Sequence, residues 1–193
     1  MKTTDTPLPP PMLLAIAYAP VQARTRLTWL LALDRRLADV LTRANEPMIA
    51  QLRLSWWRDA LNTVADKRPK GEPLLAQLNE IGSDDAAISA GLSLIDALEI
   101  LATSADSQER EAAQRQRISA LCGAYALWVG CAESEGCQID RIADWWSTPI
   151  GPMPKSVPRR LRPLTILALA EHLDSSPSRT SPLRLNWHAL TGR

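Results

Sequence analysis

The strongest constraint on the fold lies in residues 21–44, where apolar side chains recur with the period of an α-helix. On a helical wheel, at about 100° per residue, Asp34 lies in the middle of one apolar face. That face is formed by Leu27, Leu30, Leu31, Ala38 and Leu41. A carboxylate in such a position needs a partner, because burying an unpaired charge costs several kcal/mol. The pattern therefore predicts a long helix that carries one buried, paired acid.

The segment QLRLSWWRDAL, residues 51–61, belongs to a second predicted helix over residues 48–66. Trp56 and Trp57 are adjacent, so their side chains point about 100° apart on a helix. One apolar face cannot hold both, and we expect this helix to pack between neighbours on two sides. Arg58 lies at the edge of the apolar stripe and is the predicted partner of Asp34, with Arg53 as the second choice. The pair is interpreted as structural, with a direct ligand or catalytic role as the alternative.

The residue types along the chain favour an all-α fold, since Ala and Leu dominate and β-branched residues are sparse. Residues 1–11 are predicted to be a disordered, proline-rich lead, residues 12–173 a single helical domain, and residues 174–193 a loosely ordered tail. After a short helix from Met12, we expect helices over 21–44, 48–66, 74–81, 83–102, 108–133, 138–146 and 159–173. Ser83 is the predicted N-cap of the helix over 83–102, and Gly136 is the predicted stop after the helix over 108–133.

The charge of the chain is nearly balanced overall but uneven along its length. The formal net charge is +1, which gives no general attraction to nucleic acid or to anionic membranes. Residues 155–193, however, hold seven basic and two acidic residues. A cluster near their start consists of Lys155, Arg159, Arg160 and Arg162. It is interpreted as a solvated loop and helix end, or as a contact for a phosphate, an anionic membrane surface or an acidic protein partner.

Three sequence features indicate the cellular compartment and the capacity to bind metal: the cysteines, the histidines and the N-terminal apolar run. Cys122, Cys131 and Cys137 form no C-x-x-C pair, which predicts reduced, buried thiols. The two histidines have no cysteine at zinc-ligand spacing, so we expect no structural zinc. The run MLLAIAYAP is too short to span a membrane and lacks a strongly basic flank. A cytoplasmic protein, peripheral to the membrane if the basic cluster binds lipid, is predicted.

The run RTRLTWLLALDRRLADVL, followed by EPMIAQLRLSWWRDAL, resembles the squalene/phytoene synthase family over residues 13–64. Members of that family share the all-α isoprenoid-synthase fold. They often show a Tyr-Ala-Phe-Cys-Arg stretch before an Asp-Asp-x-x-Asp motif, and a Leu-x-x-Trp-Arg segment on the next helix. The resemblance implies a trimmed version of that fold, with about six to eight helices. It also makes Asp34, Arg58 and Arg53 the candidate residues for binding a prenyl diphosphate or a lipid.

Both metal-binding motifs of the family are altered in this chain. Family enzymes hold the diphosphate of the substrate through magnesium ions bound by two Asp-rich motifs. Alignment to the first motif places Ala38, Asp39 and Thr42 where the family has aspartates. Asp140 and Asp144 have the spacing of the second motif, but the residues around them do not match it. We therefore predict no metal ligand, no catalytic residue and no cofactor.

Two functions remain open from the sequence, besides a helical scaffold without a small-molecule ligand. The first is a non-catalytic relative that acts as a binding or assembly module near isoprenoid or membrane components. The resemblance allows this role, since some relatives serve as assembly factors for a respiratory complex. The alternative is an active magnesium-dependent prenyl diphosphate transferase. It requires Asp34 to face Asp140 and Asp144 across a cavity.

Overall fold

The computed structural model describes residues 7–44, 46–82, 85–131, 136–148, 152–154, 156–175 and residue 188. These residues form eight α-helices and no strand, which confirms the predicted all-α class. The helices are α1 (Pro10–Tyr18), α2 (Val21–Arg43), α3 (Pro47–Asn62), α4 (Pro73–Glu80), α5 (Asp85–Thr103), α6 (Ser107–Trp128), α7 (Gly136–Ser147) and α8 (Arg162–Ser175). Short 3₁₀ turns cover Ala65–Lys67 and Arg159–Leu161.

Helix α5 lies at the centre of one half of the bundle and packs against α2, α3 and α6. Among the described helices, α5 alone is long and apolar enough to cross a membrane. Its contacts with three neighbours are those of a core helix. Gly91 lets α2 and α3 approach it closely, since a Cβ there would lie 2.8 Å from Leu61 Cδ1 and 3.2 Å from Leu33 Cδ2.

The other half of the bundle is built from α1, α6, α7 and α8, with α1 packed along α8. Helix α2 contributes to both halves. Its Leu27 and Leu31 belong to the apolar cluster of the second half, whereas Leu30 and Leu33 belong to the cluster around α5. Asp34 therefore enters the interior where the two clusters meet.

The N-terminal helix boundaries differ from the predictions for local reasons. Helix α1 begins at Pro10, inside the predicted disordered lead, because proline is suited to the first turn of a helix. Residues 1–6 of that lead lie outside the described residues. Helix α3 ends at Asn62 rather than residue 66 because Thr63 is extended, with φ −74° and ψ 138°. The Nε of the buried Arg68 donates to the Thr63 carbonyl oxygen at 3.0 Å and holds the chain in this turn.

Helix α6 also ends earlier than predicted, at Trp128, and the glycine that comes after it is Gly130. Gly130 has a φ of +63°, a left-handed conformation that costs glycine little and ends the helix. The expected stop at Gly136 is wrong, since α7 begins there. The predicted cap at Ser83 lies outside the described residues.

The C-terminal helix runs to Ser175, two residues into the predicted tail. Pro163 lies in its first turn, and residues 159–161 of the predicted helix form a 3₁₀ turn instead. Of the rest of the tail, the structure describes only His188, which is 2% exposed. Its Nε2 lies 2.8 Å from the Thr165 hydroxyl oxygen of α8. The imidazole of His188 is therefore buried against α8, and residues 176–187 and 189–193 of the predicted tail lie outside the described residues.

Candidate functional site

The candidate site is centred on Asp34, which is 1% exposed in the middle of α2. Its partner is Arg117 of α6. The guanidinium Nε donates to Asp34 Oδ1 at 2.7 Å, and Nη2 donates to Oδ2 at 2.6 Å. In this bidentate arrangement the planar guanidinium lies against the carboxylate, and both carboxylate oxygens accept a hydrogen bond.

Burial and the neighbouring charges have opposite effects on the pKa of Arg117. Burial alone would lower the pKa of the Arg117 guanidinium, but the charge and hydrogen bonds of Asp34, helped by the charge of Glu171, outweigh it. The pKa of Arg117 is therefore raised above its ordinary value. Arg117 therefore stays protonated, and its positive charge neutralises the carboxylate of Asp34.

A hydrogen-bonded chain extends from this pair toward α8. Arg117 Nη1 donates to Gln114 Oε1 at 3.5 Å, and Gln114 Nε2 donates to Glu171 Oε1, also at 3.5 Å. The indole Nε1 of Trp146 donates to Glu171 Oε2 at 2.7 Å. Two carboxylates and one guanidinium thus meet here, which leaves a formal charge of −1 among the three groups.

A cavity of about 240 Å³ lies beside these polar groups, between α1, α2, α6, α7 and α8. Its walls are largely apolar and are formed by Pro9, Pro11, Met12, Leu31, Ile118, Leu121, Trp146, Leu167 and Ala170, with Asp34, Arg117 and Glu171 as the polar part. The volume is below the usual range of ligand pockets, roughly 300–1,000 Å³. The first turn of α1, from the segment predicted to be disordered, closes one side.

The predicted partners of Asp34 do not reach it. Arg58 Nη2 instead donates to Asp96 Oδ1 at 2.5 Å and to Glu99 Oε2 at 3.0 Å, both on α5. The hydrogen bond that Arg58 donates to Glu99 raises the pKa of Arg58 despite partial burial, helped by the charge of Glu99 and by the hydrogen bond to Asp96 and its charge. The prediction is wrong because Arg58 faces α5, whereas Asp34 faces α6. Arg53, the second candidate, is exposed on α3.

The sequence marks Arg117 as a further candidate by the same reasoning that singles out Asp34. Arg117 lies on the buried stripe of α6, four residues after Ala113 and four before Leu121. An arginine on such a stripe needs an acid, just as Asp34 needs a base. Helix pairing decides between the candidates, and no sequence feature indicates that α2 presents this face to α6.

The described residues do not provide a magnesium site of the family type. Both oxygens of Asp34 are bonded to Arg117, and Asp39 forms an ion pair with Arg43 at 3.1 Å. Asp140 is exposed, and Asp144 lines a separate open groove with Arg141. Within the described ranges, no group of three or more His, Cys, Asp or Glu residues is placed to hold a metal ion. Magnesium prefers several carboxylate and water oxygens around it, and this donor set does not fit that requirement.

Comparison with family models finds a match to the squalene/phytoene synthase model over residues 11–127. That range is more than half of the chain. The chain belongs to the squalene/phytoene synthase family. The match extends well beyond residues 13–64, which carry the resemblance to the family, and it covers both Asp34 and Arg117. No curated protein and no solved structure matches the chain.

The remaining predicted features of this family member fall outside the cavity. Arg159 is exposed, while Arg160 and Arg162 are partly buried; Lys155 lies outside the described residues. The Tyr125 hydroxyl donates to the Arg160 carbonyl oxygen at 2.7 Å and fixes this segment to α6. Of the cysteines, Cys122 is buried as expected, but Cys131 is half-buried and Cys137 is exposed.

Proposed function

We propose that this squalene/phytoene synthase family member is non-catalytic and acts as a binding or assembly module for an isoprenoid or lipid chain. The observation that carries the proposal is the hydrogen-bonded pair between Asp34 and Arg117. A transferase of this family needs free carboxylates to hold magnesium and, through it, a diphosphate. Here Arg117 occupies both oxygens of the inward acid, so this carboxylate is not free to hold a metal ion.

The alternative, an active magnesium-dependent transferase, required Asp34 to face Asp140 and Asp144. Trp146 is the residue of α7 that lines the cavity, whereas Asp144 lines the separate groove. The facing carboxylates on which that alternative depends are therefore not brought together, which favours the non-catalytic role.

The charge of the cavity indicates which ligand it favours. Asp34, Arg117 and Glu171 together carry a formal −1, which repels a diphosphate when no metal shields it. The walls are apolar and the volume is small. We therefore expect a neutral chain, or one end of it, to occupy the cavity. Contact with a membrane or an acidic partner through Lys155, Arg159, Arg160 and Arg162 is the second part of the proposal, supported by the basic charge of residues 155–193.

The test is calorimetric titration with geraniol and with geranyl diphosphate, which carry the same chain, each with magnesium and with a chelator. The proposal expects geraniol to bind equally in both conditions and more tightly than the diphosphate. Met12→Trp should fill the cavity and abolish binding. Leu13→Trp, at the adjacent position, which is 53% exposed, is the matched control and should bind normally.

An assay for condensation of farnesyl diphosphate with magnesium completes the test. Magnesium-dependent diphosphate binding together with a condensation product would overturn the non-catalytic proposal. Absence of binding for every compound would overturn the ligand part and favour the scaffold. The basic cluster is tested separately, by sedimentation with anionic vesicles of wild type and of the Arg159→Glu variant.

A further inference from the structure

The outward face of α3 carries a stripe of apolar side chains that no described residue covers. Met48, Leu52 and Trp56 succeed one another at four-residue spacing and are 66%, 66% and 43% exposed; Ile49 beside them is 37% exposed. Scattered exposed apolar residues are common on proteins. Four on one helix face form a continuous patch of the kind found at protein contacts.

The charges along this stripe carry both signs. Glu46, the N-cap residue directly before α3, and Arg53 are both exposed and lie seven residues apart, so two helical turns bring Arg53 to the edge of the helix that Glu46 begins. Asp59 is exposed near the C-terminal end of the helix. An anionic membrane surface attracts helices whose polar side is rich in Lys and Arg, and this rim is mixed instead. A protein surface with complementary charges fits it better.

We propose that the stripe binds a second copy of this chain, with the two α3 helices antiparallel about a two-fold axis. Under this symmetry the same edges of the two helices meet with their directions reversed. If the axis passes between positions 49 and 50, Arg53 of each copy faces the second copy's Glu46. The two reciprocal ion pairs then border a core of Met48, Ile49 and Leu52.

Trp56 lies at the outer end of this arrangement. Its ring reaches toward the α2–α3 corner of the second copy, where the Arg43 side chain is 56% exposed. An arginine can stack on an indole face, so this contact adds to the pairing. Among the described helices, α3 packs against α5 and α2, and Trp56 stays 43% exposed; the dimer would cover this second side of the helix.

The size of the patch limits the affinity. Stable dimers bury about 800 Å² on each partner, and one helix face with four apolar side chains offers less. We therefore expect a weak, concentration-dependent dimer, with a dissociation constant in the micromolar range. This inference is independent of whether the chain binds an isoprenoid.

Sedimentation velocity from about 1 to about 200 µM spans the expected dissociation constant. Wild type should shift from monomer toward dimer over this range, and Leu52→Glu should remain monomeric. Leu127→Glu is the matched control, since Leu127 is 71% exposed near the end of α6, away from the stripe. It should dimerise as wild type does.

A charge exchange tests the symmetry itself. Arg53→Glu alone should weaken the dimer at least tenfold, because it places two acids opposite each other. Arg53→Glu combined with Glu46→Arg should restore it, because both reciprocal pairs are re-formed with reversed sign. A wild-type monomer at every concentration would overturn the proposal. So would a dimer that Leu52→Glu leaves intact, or binding to anionic vesicles that Leu52→Glu abolishes in a monomeric protein.

Discussion

Arg117 on α6 and Asp34 on α2 are 83 residues apart in sequence, yet the guanidinium holds both carboxylate oxygens, at 2.7 and 2.6 Å. The side chain of Asp34 is 2% exposed and that of Arg117 is 19% exposed. The pair joins the two halves of the bundle at the edge of the cavity. Its energetics give the first prediction.

Truncation of either partner should destabilise the protein strongly. Asp34→Ala or Arg117→Ala leaves an unpaired buried charge, and we expect each to lower the free energy of unfolding by about 3–5 kcal/mol. Arg58→Ala breaks a pair whose side chains are more than a quarter exposed, and should cost less than about 1 kcal/mol. Urea denaturation of the three variants measures this difference. Equal losses for Arg58→Ala and Arg117→Ala would contradict the assignment.

Replacing both partners should destabilise the protein less than replacing one of them. Asp34→Leu with Arg117→Met removes both charges and keeps apolar volume in the interior, so no charge is left unpaired. The double variant should be more stable than either single truncation. A double variant as unstable as the sum of the two single variants would show that the residues act independently.

The adjacent tryptophans of α3 should differ sharply in their contribution to stability. Trp57 is 4% exposed and belongs to the core around α5, so Trp57→Ala should cost about 3–5 kcal/mol. Trp56 is 43% exposed and contacts Trp57 edge-on, with ring centroids 5.2 Å apart. Trp56→Ala should cost about 0.5–1.5 kcal/mol, the value of such an aromatic pair. Thermal unfolding at low concentration, where the chain is monomeric, measures both.

Substitution of alanine for two helical glycines should change the stability of the protein in opposite directions. At Gly91 a Cβ would lie 2.8 Å from Leu61 Cδ1 in a closely packed region, so Gly91→Ala should destabilise by about 1 kcal/mol. At Gly123 in α6 nothing lies within 4 Å of the new Cβ. There the better helix propensity of alanine should stabilise by about 0.5–1 kcal/mol. Destabilisation of the same size at both sites would show that close packing at α5 is not the cause.

The three thiols should react at different rates as the pH rises. Burial, helped by the charge of Asp140, raises the pKa of Cys122 to about 12, so its thiol keeps its proton in the folded state. The pKa of Cys122 is higher in the folded than in the unfolded state. Its contribution to the free energy of unfolding is therefore complete below about pH 8.5 and is lost as the pH rises toward 12. Thiol titration at pH 8 should label the exposed Cys137 quickly and Cys122 only on unfolding.

Variants separate these reactions. Cys137→Ser should remove the fast phase, and Cys122→Ala should remove the phase that appears on unfolding. Cys122→Ala should also make the loss of stability above pH 9 less steep. Rapid labelling of Cys122 in the folded protein would contradict its buried position.

The amino-acid sequence by itself determined the helical class, the family and the presence of an inward acid at Asp34. These depend on local information: helix period, propensity and motif residues act over a few turns. The same local reasoning missed the stop at Gly130. Several glycines can end a helix, and the backbone conformation that decides between them depends on how the next segment of the chain packs.

Only the tertiary structure decided which residues meet. Arg58 and Arg117 both lie beside apolar stripes, and the choice of Arg117 as the partner of Asp34 depends on α2 packing with its acid toward α6. The two tryptophans were expected to be enclosed, yet Trp56 stays 43% exposed because the described neighbours of α3, α2 and α5, pack on the face that carries Trp57. Helix periodicity defines which side chains share a face, whereas the packing of distant helices determines what that face contacts.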